Sequence, residues 1–463
     1  MYTGTPRVRS PRRTLPEDHR LGPQFPLSPT ALRACLAWFA TLAIACSGPA
    51  NAAEPLPICE NCNLLIVVID TLRSDHLGYN GYSRDTSPSL DAFVADARRY
   101  DSCLAQATWT IPSTASLLCS AYPSTHRLEF SPGRTDQWHG LGEGLTLLPE
   151  VLGDAGFGTA AFVGNPVLRP KLGFDRGFDR YAVEDDPDVI IDAATQIARW
   201  GDQRFFLYLH LLGPHPGLEP PAPYDTLFGP APAPMPDGGL SYQHVRGQTG
   251  PMRPAFQRWF QDLYDAEIRY TDQMLGSLIA LLETHGVLDD TVVVLTSDHG
   301  EHLFEKGLLG HGMSVFEALT HVPLVIRVPG DTVASVDTVV EQVDLAPALL
   351  EVLGVKQDPA WGWEGGPLAS DDTAFVEQGP RQAIRRGPYK LIVDRSVGTT
   401  SLYDLRSDPG ETRDIGALEP DLRGELRAEL ERWRIRALQP VTPLPLTLDP
   451  EDIERLRALG YVE

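Results

Sequence analysis

The chain has 463 residues, more than one ordinary domain requires, and an apolar content normal for a globular enzyme. Its formal net charge of −23 argues against nonspecific binding to nucleic acid or to anionic membrane surfaces. An anionic substrate stays open, because a bound metal inverts the local field.

Residues 1–52 read as a leader and signal peptide. An Arg- and Pro-rich segment ends at Pro29, an apolar run follows from Ala34 to Ala45, and Ala50-Asn51-Ala52 has the small-x-small form of a signal-peptidase site. The run is short for a membrane span, so the expectation is an exported protein, periplasmic or extracellular. A rival reading is lipoprotein processing at Cys46, which would leave a lipid anchor; Ala43, where a larger aliphatic residue is usual, weakens it. No later stretch is long enough to span a bilayer. Of six cysteines, Cys35 and Cys46 fall in the leader. Cys59, Cys62, Cys103 and Cys119 remain, an even count that suits structural disulfides and leaves the pairing open.

Asn63–Ile69 is a continuous β-branched and aliphatic run, the pattern of a strand buried on both faces, and it ends at Asp70. Thr86-Ser-Pro-Ser-Leu-Asp91 predicts a helix capped by Ser87 and running to about Arg98. Arg99–Ala105 predicts a strand. Ala107–Cys119 then reads as a helix start, with Pro112 in the first position, Ser113 and Ser116 satisfying free amides, and Thr110 just ahead of the helix. A short helix is expected over Leu147–Ala155, a strand over Gly158–Val163, a helix over Ile190–Trp200 and a buried strand over Arg204–Leu212. Residues 217–255, rich in Pro and Gly, read as a long loop or lid. A long helix is predicted over Phe256–His285, a second strong strand up to Asp298-His299-Gly300, and another over Val322–Val328.

This alternation predicts a doubly wound, mostly parallel α/β domain over 60–370. Short strands over Thr373–Leu405 and a charged helix over Pro420–Arg436 predict a small C-terminal antiparallel sheet with one packed helix, at 371–440. A Pro-rich tail with a last short helix occupies 441–463.

Two strands thus end in metal-capable groups, Asp70 and Asp298-His299, at the edge where open α/β sheets bind ligands. Asp and His with a hydroxyl suit a borderline divalent cation better than an all-oxygen calcium cage. Thr110, at a helix start, is the candidate nucleophile: coordination lowers its pKa and aims it at a bound ester. His215 and His311, in Gly-Pro-His-Pro and Leu-Gly-His-Gly, read as exposed-loop histidines that hold the substrate's anionic oxygens or protonate the leaving oxygen. His210 alternates into its strand as a core residue. Glu301 and His302 read as helix-start residues.

Asn63–Gly78, Thr86–Asp91, Thr110–Ser113, Thr296–Gly300, His321–Val325 and the Leu402-Tyr-Asp-Leu-x-x-Asp-Pro-Gly-Glu411 run together resemble the sulfatase family of the alkaline-phosphatase-like superfamily, in order from about 62 to 415. The resemblance implies a metal at the sheet edge, a covalent ester intermediate and a small C-terminal α/β domain. Sulfatases carry Cys or Ser in Cys-x-Pro-x-Arg and oxidise it to formylglycine; here Thr110 holds that position and Thr114 replaces the arginine. The second acid common after the first is Thr71. The set Asp70, Thr110, Asp298 and His299 is similar to the metal site of lipoteichoic-acid synthases and phosphoethanolamine transferases, which use a threonine on phosphodiester-type substrates. Gly213 stands where many relatives have Asp before Pro-His, which argues against a second metal.

The expectation is therefore a hydrolase of phosphate- or sulfate-type esters with one divalent ion (Zn, Mn or Ca), metal ligands Asp70, Thr110, Asp298 and His299, and catalytic or substrate-binding residues Thr110, His215 and His311. The alternatives are a sulfuric-ester hydrolase working without formylglycine and a degenerate protein that binds anionic glycans. The substrate is a small molecule, glycan or lipid ester.

Overall fold

The computed structural model describes residues 54–128, 138–233, 252–436, 441–446, 449–450 and 453–454. The expected leader with its cleavage site, and Cys46, lie outside the described residues, as do 234–251 of the expected lid and most of the expected final helix.

A single eight-stranded sheet organises the chain. Its strands are β1 (Asn63–Ile69), β2 (Arg98–Leu104), β3 (Gly158–Val163), β4 (Arg180–Val183), β5 (Phe205–Leu211), β6 (Thr291–Thr296), β7 (His321–Arg327) and β8 (Ser335–Glu341), in the order β8-β2-β7-β6-β1-β5-β3-β4. All run parallel except β7, which pairs antiparallel with both β2 and β6. β1 lies between β5 and β6, and every one of its residues is buried. Leu64, Ile66 and Val68 enter the core on one face; Leu65, Val67 and Ile69 enter it on the other. That two-sided burial is why the sequence shows an unbroken apolar run instead of alternation. Each such side chain contributes roughly 1.5–3 kcal/mol of transfer free energy.

Helices cover both faces. Leu90 and Phe93 of α1 (Pro88–Val94) pack on one side, with α4 (Asp186–Trp200) and α5 (Pro254–Thr284); α2 (Thr110–Cys119), α3 (Leu148–Asp154) and α6 (Leu345–Val352) pack on the other. The doubly wound expectation therefore holds. Beyond it, β9 (Thr373–Gln378), β10 (Arg381–Arg386), β11 (Tyr389–Asp394) and β12 (Thr399–Asp404) form a meander of antiparallel pairs. Helix α7 (Pro420–Arg436) covers it through Leu426 and Leu430. No helix among the described residues is long and apolar enough to cross a membrane.

Several local expectations change. Helix α1 stops at Val94, not near Arg98, because the backbone tightens into i→i+3 bonds at Ala95, Asp96 and Ala97 before Arg98 enters β2 and pairs with Asp331. Ser87 holds the N-cap position ahead of Pro88, as expected, but its side chain makes no capping bond; the hydroxyl joins Asp91 to the Gly78 amide. In α2 Thr110 is the first helical residue and Pro112 the third. Ser113 and Ser116 do not cap it either: Ser113 donates to the Asp298 carbonyl and Ser116 bonds His126. Strands β4 and β8 and helix α6 had no clear sequence signal. Of the four cysteines among the described residues, Cys59 and Cys62 form one disulfide, while Cys103 and Cys119 are buried free thiols inside the core.

Candidate active site

The carboxyl ends of β1, β3, β5 and β6 and the N-terminus of α2 converge. Asp70 follows β1, Asn165 follows β3 by two residues, His210 lies one residue before the end of β5, and Asp298-His299 follow β6. Thr71 turns the chain sharply after Asp70 with φ +57°, an unusual conformation for a β-branched residue. It is held from both sides: its N–H donates to Asp298 Oδ1 (3.2 Å) and its carbonyl accepts from the Tyr264 hydroxyl (2.7 Å). That conformation costs about 1–3 kcal/mol, which the surrounding contacts must offset.

Thr110 Oγ1 lies 3.5 Å from Asp70 Oδ2 and 3.4 Å from His299 Nε2. His299 Nδ1 donates to the Gly300 carbonyl (2.8 Å), which leaves the Nε2 lone pair facing Thr110 and Asp298 Oδ2, 3.4 Å away. Asn165 donates from Nδ2 to Asp70 Oδ2 (2.6 Å) and sits 3.5 Å from Thr110 Oγ1. His210 Nε2 is 3.2 Å from Asp70 Oδ2 and 4.0 Å from Asp298 Oδ2. Ring contacts bring in the two loop histidines: His299 to His311 at 4.6 Å and His215 to His311 at 5.1 Å between centroids. The structure thus gathers all six residues singled out in the sequence.

It also corrects their setting. His215 and the His311 side chain are buried, not exposed. Glu301 and His302 start no helix: Glu301 Oε2 holds His311 Nδ1 at 2.9 Å, and His302 Nε2 bonds Ser314 at 2.7 Å on a two-residue strand. His210, read as core, stands among the carboxylates. Asn165 was missed. Both sit at or just past a parallel strand's carboxyl end, the rule that found Asp70, so position was the signal that would have found them.

The electrostatics favour a cation. Two carboxylates are buried side by side, and Asp70 Oδ1 and Asp298 Oδ2 have no hydrogen-bond partner. Burial and the neighbouring Asp70 charge push Asp298 well above the usual carboxylate range. At Asp70 burial acts in the same direction, but His215 and His210 outweigh it and hold the group low. Burial pushes His299 and His215 below the usual imidazole range. Two orphaned carboxylate oxygens beside an imidazole lone pair and a hydroxyl fit a divalent ion, and one ligand atom each from Asp70, His210 and Asp298 lies within 4.8 Å of the others.

A family model described as Sulfatase matches residues 62–355. Arylsulfatase K of Xenopus laevis is 32% identical over 290 residues, 52% of this chain and 54% of that protein. Choline-sulfatase of Rhizobium meliloti (strain 1021) is 31% identical over 166 residues, 33% of this chain and 32% of that protein. The chain thus spans about half or less of the length of these relatives. Among solved structures, a phosphonate monoester hydrolase from Silicibacter pomeroyi shares the fold, with a TM-score of 0.64 at 21% identity over 82% of this chain and 96% of that one.

Proposed function

The chain belongs to the sulfatase family, and on that premise we propose that it is a metal-dependent hydrolase of phosphate-type esters whose nucleophile is Thr110. The observation that carries this reading is the Thr110 hydroxyl, buried at the start of α2 and within 3.5 Å of both Asp70 and His299. Asp70, Asp298, His299 and Thr110 would hold the divalent ion. Bound there, it would lower the pKa of the Thr110 hydroxyl and neutralise charge on the ester oxygens.

Thr110 Oγ1 attacks the central phosphorus; the new Oγ1–P bond forms as the bond to the ester oxygen breaks. His215 and His311 line the non-bridging oxygens; His311 Nε2, with its Nδ1–H held by Glu301, takes the Thr110 proton as Oγ1 attacks and passes it to the leaving oxygen. Glu301 fixes the His311 tautomer through Nδ1, so that Nε2 faces the reacting group. Asn165 points an N–H at the nucleophile and at Asp70. Water then cleaves the threonine ester and regenerates the hydroxyl. Residues 60–370 carry this chemistry in our reading, 371–440 form an accessory C-terminal unit, and 1–52 direct export.

A second reading, a sulfuric ester as substrate, is favoured by the names of the matched relatives. Matched aryl phosphate, phosphonate and sulfate esters, turned over by purified protein with metal added back, separate the two. Thr110→Ala is expected to lower kcat/KM on the preferred ester by at least about 10³-fold. Turnover that survives this substitution would overturn the threonine mechanism, whichever ester is used.

A further inference from the structure

On the metal-dependent reading above, we infer that His210 is a further ligand of the cation seat and makes that seat selective for nitrogen-preferring ions such as Zn²⁺ over Ca²⁺. His210 Nε2 stands 3.2 Å from Asp70 Oδ2 and 4.0 Å from Asp298 Oδ2. Ligands that share one ion at zinc-like bond lengths of about 2.0–2.2 Å lie roughly 3–3.6 Å from one another. The 3.2 Å separation falls within that range and the 4.0 Å separation lies a few tenths of an ångström beyond it. His210 lies on the central part of the sheet, in a strand paired on both sides, so its Nε2 is fixed in place.

The outer contacts suit a ligand. Tyr208 Oη is 3.1 Å from His210 Nδ1. The Tyr208 oxygen is placed to accept a hydrogen bond from Nδ1–H, which leaves the Nε2 lone pair to the ion. Metal-binding histidines characteristically use their second nitrogen this way. Asn165 is not a competing oxygen ligand. Its Oδ1 accepts from Val167 N (3.0 Å), which turns its N–H group toward Asp70. Thr71 brings no carboxylate.

The donor set is then two carboxylates, two imidazoles and one hydroxyl, all buried. Ca²⁺ asks for six to eight oxygens, which this set, with imidazole nitrogen as two of its five donor groups, does not offer. Imidazole raises affinity for zinc and its neighbours in the transition series. A plain structural role would have His210 Nε2–H donate to Asp70, with no bearing on which ion binds.

The full chain, stripped with chelator, is titrated separately with Zn²⁺ and Ca²⁺ by calorimetry and by thermal unfolding. The wild type is expected to bind Zn²⁺ at least about 100-fold more tightly than Ca²⁺. His210→Gln should weaken Zn²⁺ binding by about 10-fold or more and shrink the Zn²⁺-dependent rise in unfolding temperature, with Ca²⁺ binding little changed. Asp298→Asn should abolish binding of both. Wild-type Zn²⁺ affinity in His210→Gln, with Asp298→Asn still silent, overturns the His210 assignment and leaves the metal reading standing. Wild type that binds neither ion overturns both. If His210→Gln does not fold, the wild-type ratio still decides: equal affinity for Ca²⁺ and Zn²⁺ overturns the inference.

Discussion

Asn165 carries the sharpest consequence at the scale of a single residue. It is fully buried, it makes the shortest contact to Asp70, and the same amide faces Thr110. A donor fixed beside a developing charge is worth more in the transition state than in the ground state. Asn165→Ala should lower kcat by about 10²-fold with a smaller change in KM. Steady-state kinetics on the preferred ester checks this, and a change confined to KM would assign Asn165 to substrate binding instead. His210 and Asn165 also mark the limit of reading residues singly. Their types are ordinary in strands and turns; only the pairing of β1 with β5, and of β5 with β3, brings them to Asp70. Asp70, Asp298 and His299 were legible because each closes a strand whose apolar run is unmistakable.

Helix α2 is the element on which the nucleophile depends, and His126 supports it from behind. His126 is fully buried; its Nδ1 accepts from Leu128 N (3.1 Å), and its Nε2 meets Ser116 at 3.1 Å. A proton on Nδ1 would break the first of these bonds. Burial accordingly lowers the His126 pKa from 6.5 to about 3. The native state therefore disfavours the charged form, so the stability it contributes is complete above about pH 6.5 and is lost as pH falls toward 3. The slope from this group alone is at most about 1.4 kcal/mol per pH unit. Urea unfolding across that window should show His126→Gln with a flatter pH dependence than wild type; parallel curves would remove His126 from the account. The helix start itself was legible, and the helix runs over Thr110–Cys119. Its capping was misread, because Ser113 and Ser116 are claimed by tertiary partners that no local rule anticipates.

Across the whole molecule, the C-terminal sheet is tied to the segment that follows the His311 loop by buried charges. Lys390, fully buried, reaches Glu317 (2.8 Å), Glu411 (3.3 Å) and Thr320 (3.1 Å). Arg385 adds a second cation on Glu317 at 2.6 Å, and Glu411 accepts from Glu317 N at 2.7 Å. Burial raises Glu317, but Arg385 and Lys390 outweigh it and hold the carboxyl at about 2. Removing one partner of such a cluster strands the others in a poorly solvating interior. Lys390→Met should cost about 3–5 kcal/mol, read as a lower urea midpoint, and adding Glu411→Gln should recover part of it. An unchanged midpoint would mean that the cluster is solvated when the protein is folded. Gln378 of β9 adds a neutral link, accepting from Thr108 and donating to the Gly312 carbonyl, next to His311.

The sequence by itself determined the strands buried on both faces, the mostly parallel α/β class, the C-terminal meander and the acids that close β1 and β6. Each follows from a local pattern: apolar runs, helical spacing, and the rule that ligands meet parallel strands at their carboxyl ends. Only the tertiary structure decided the strand order, the reversed β7, the Cys59–Cys62 disulfide and the partners of Asp70. These depend on contacts between residues far apart in the chain, and the same side chain serves as cap, core or ligand according to what the fold sets opposite it. Thr110 belongs to both levels. Its place at a helix start was written in the chain, and its distance to Asp70 and His299 was set by the sheet.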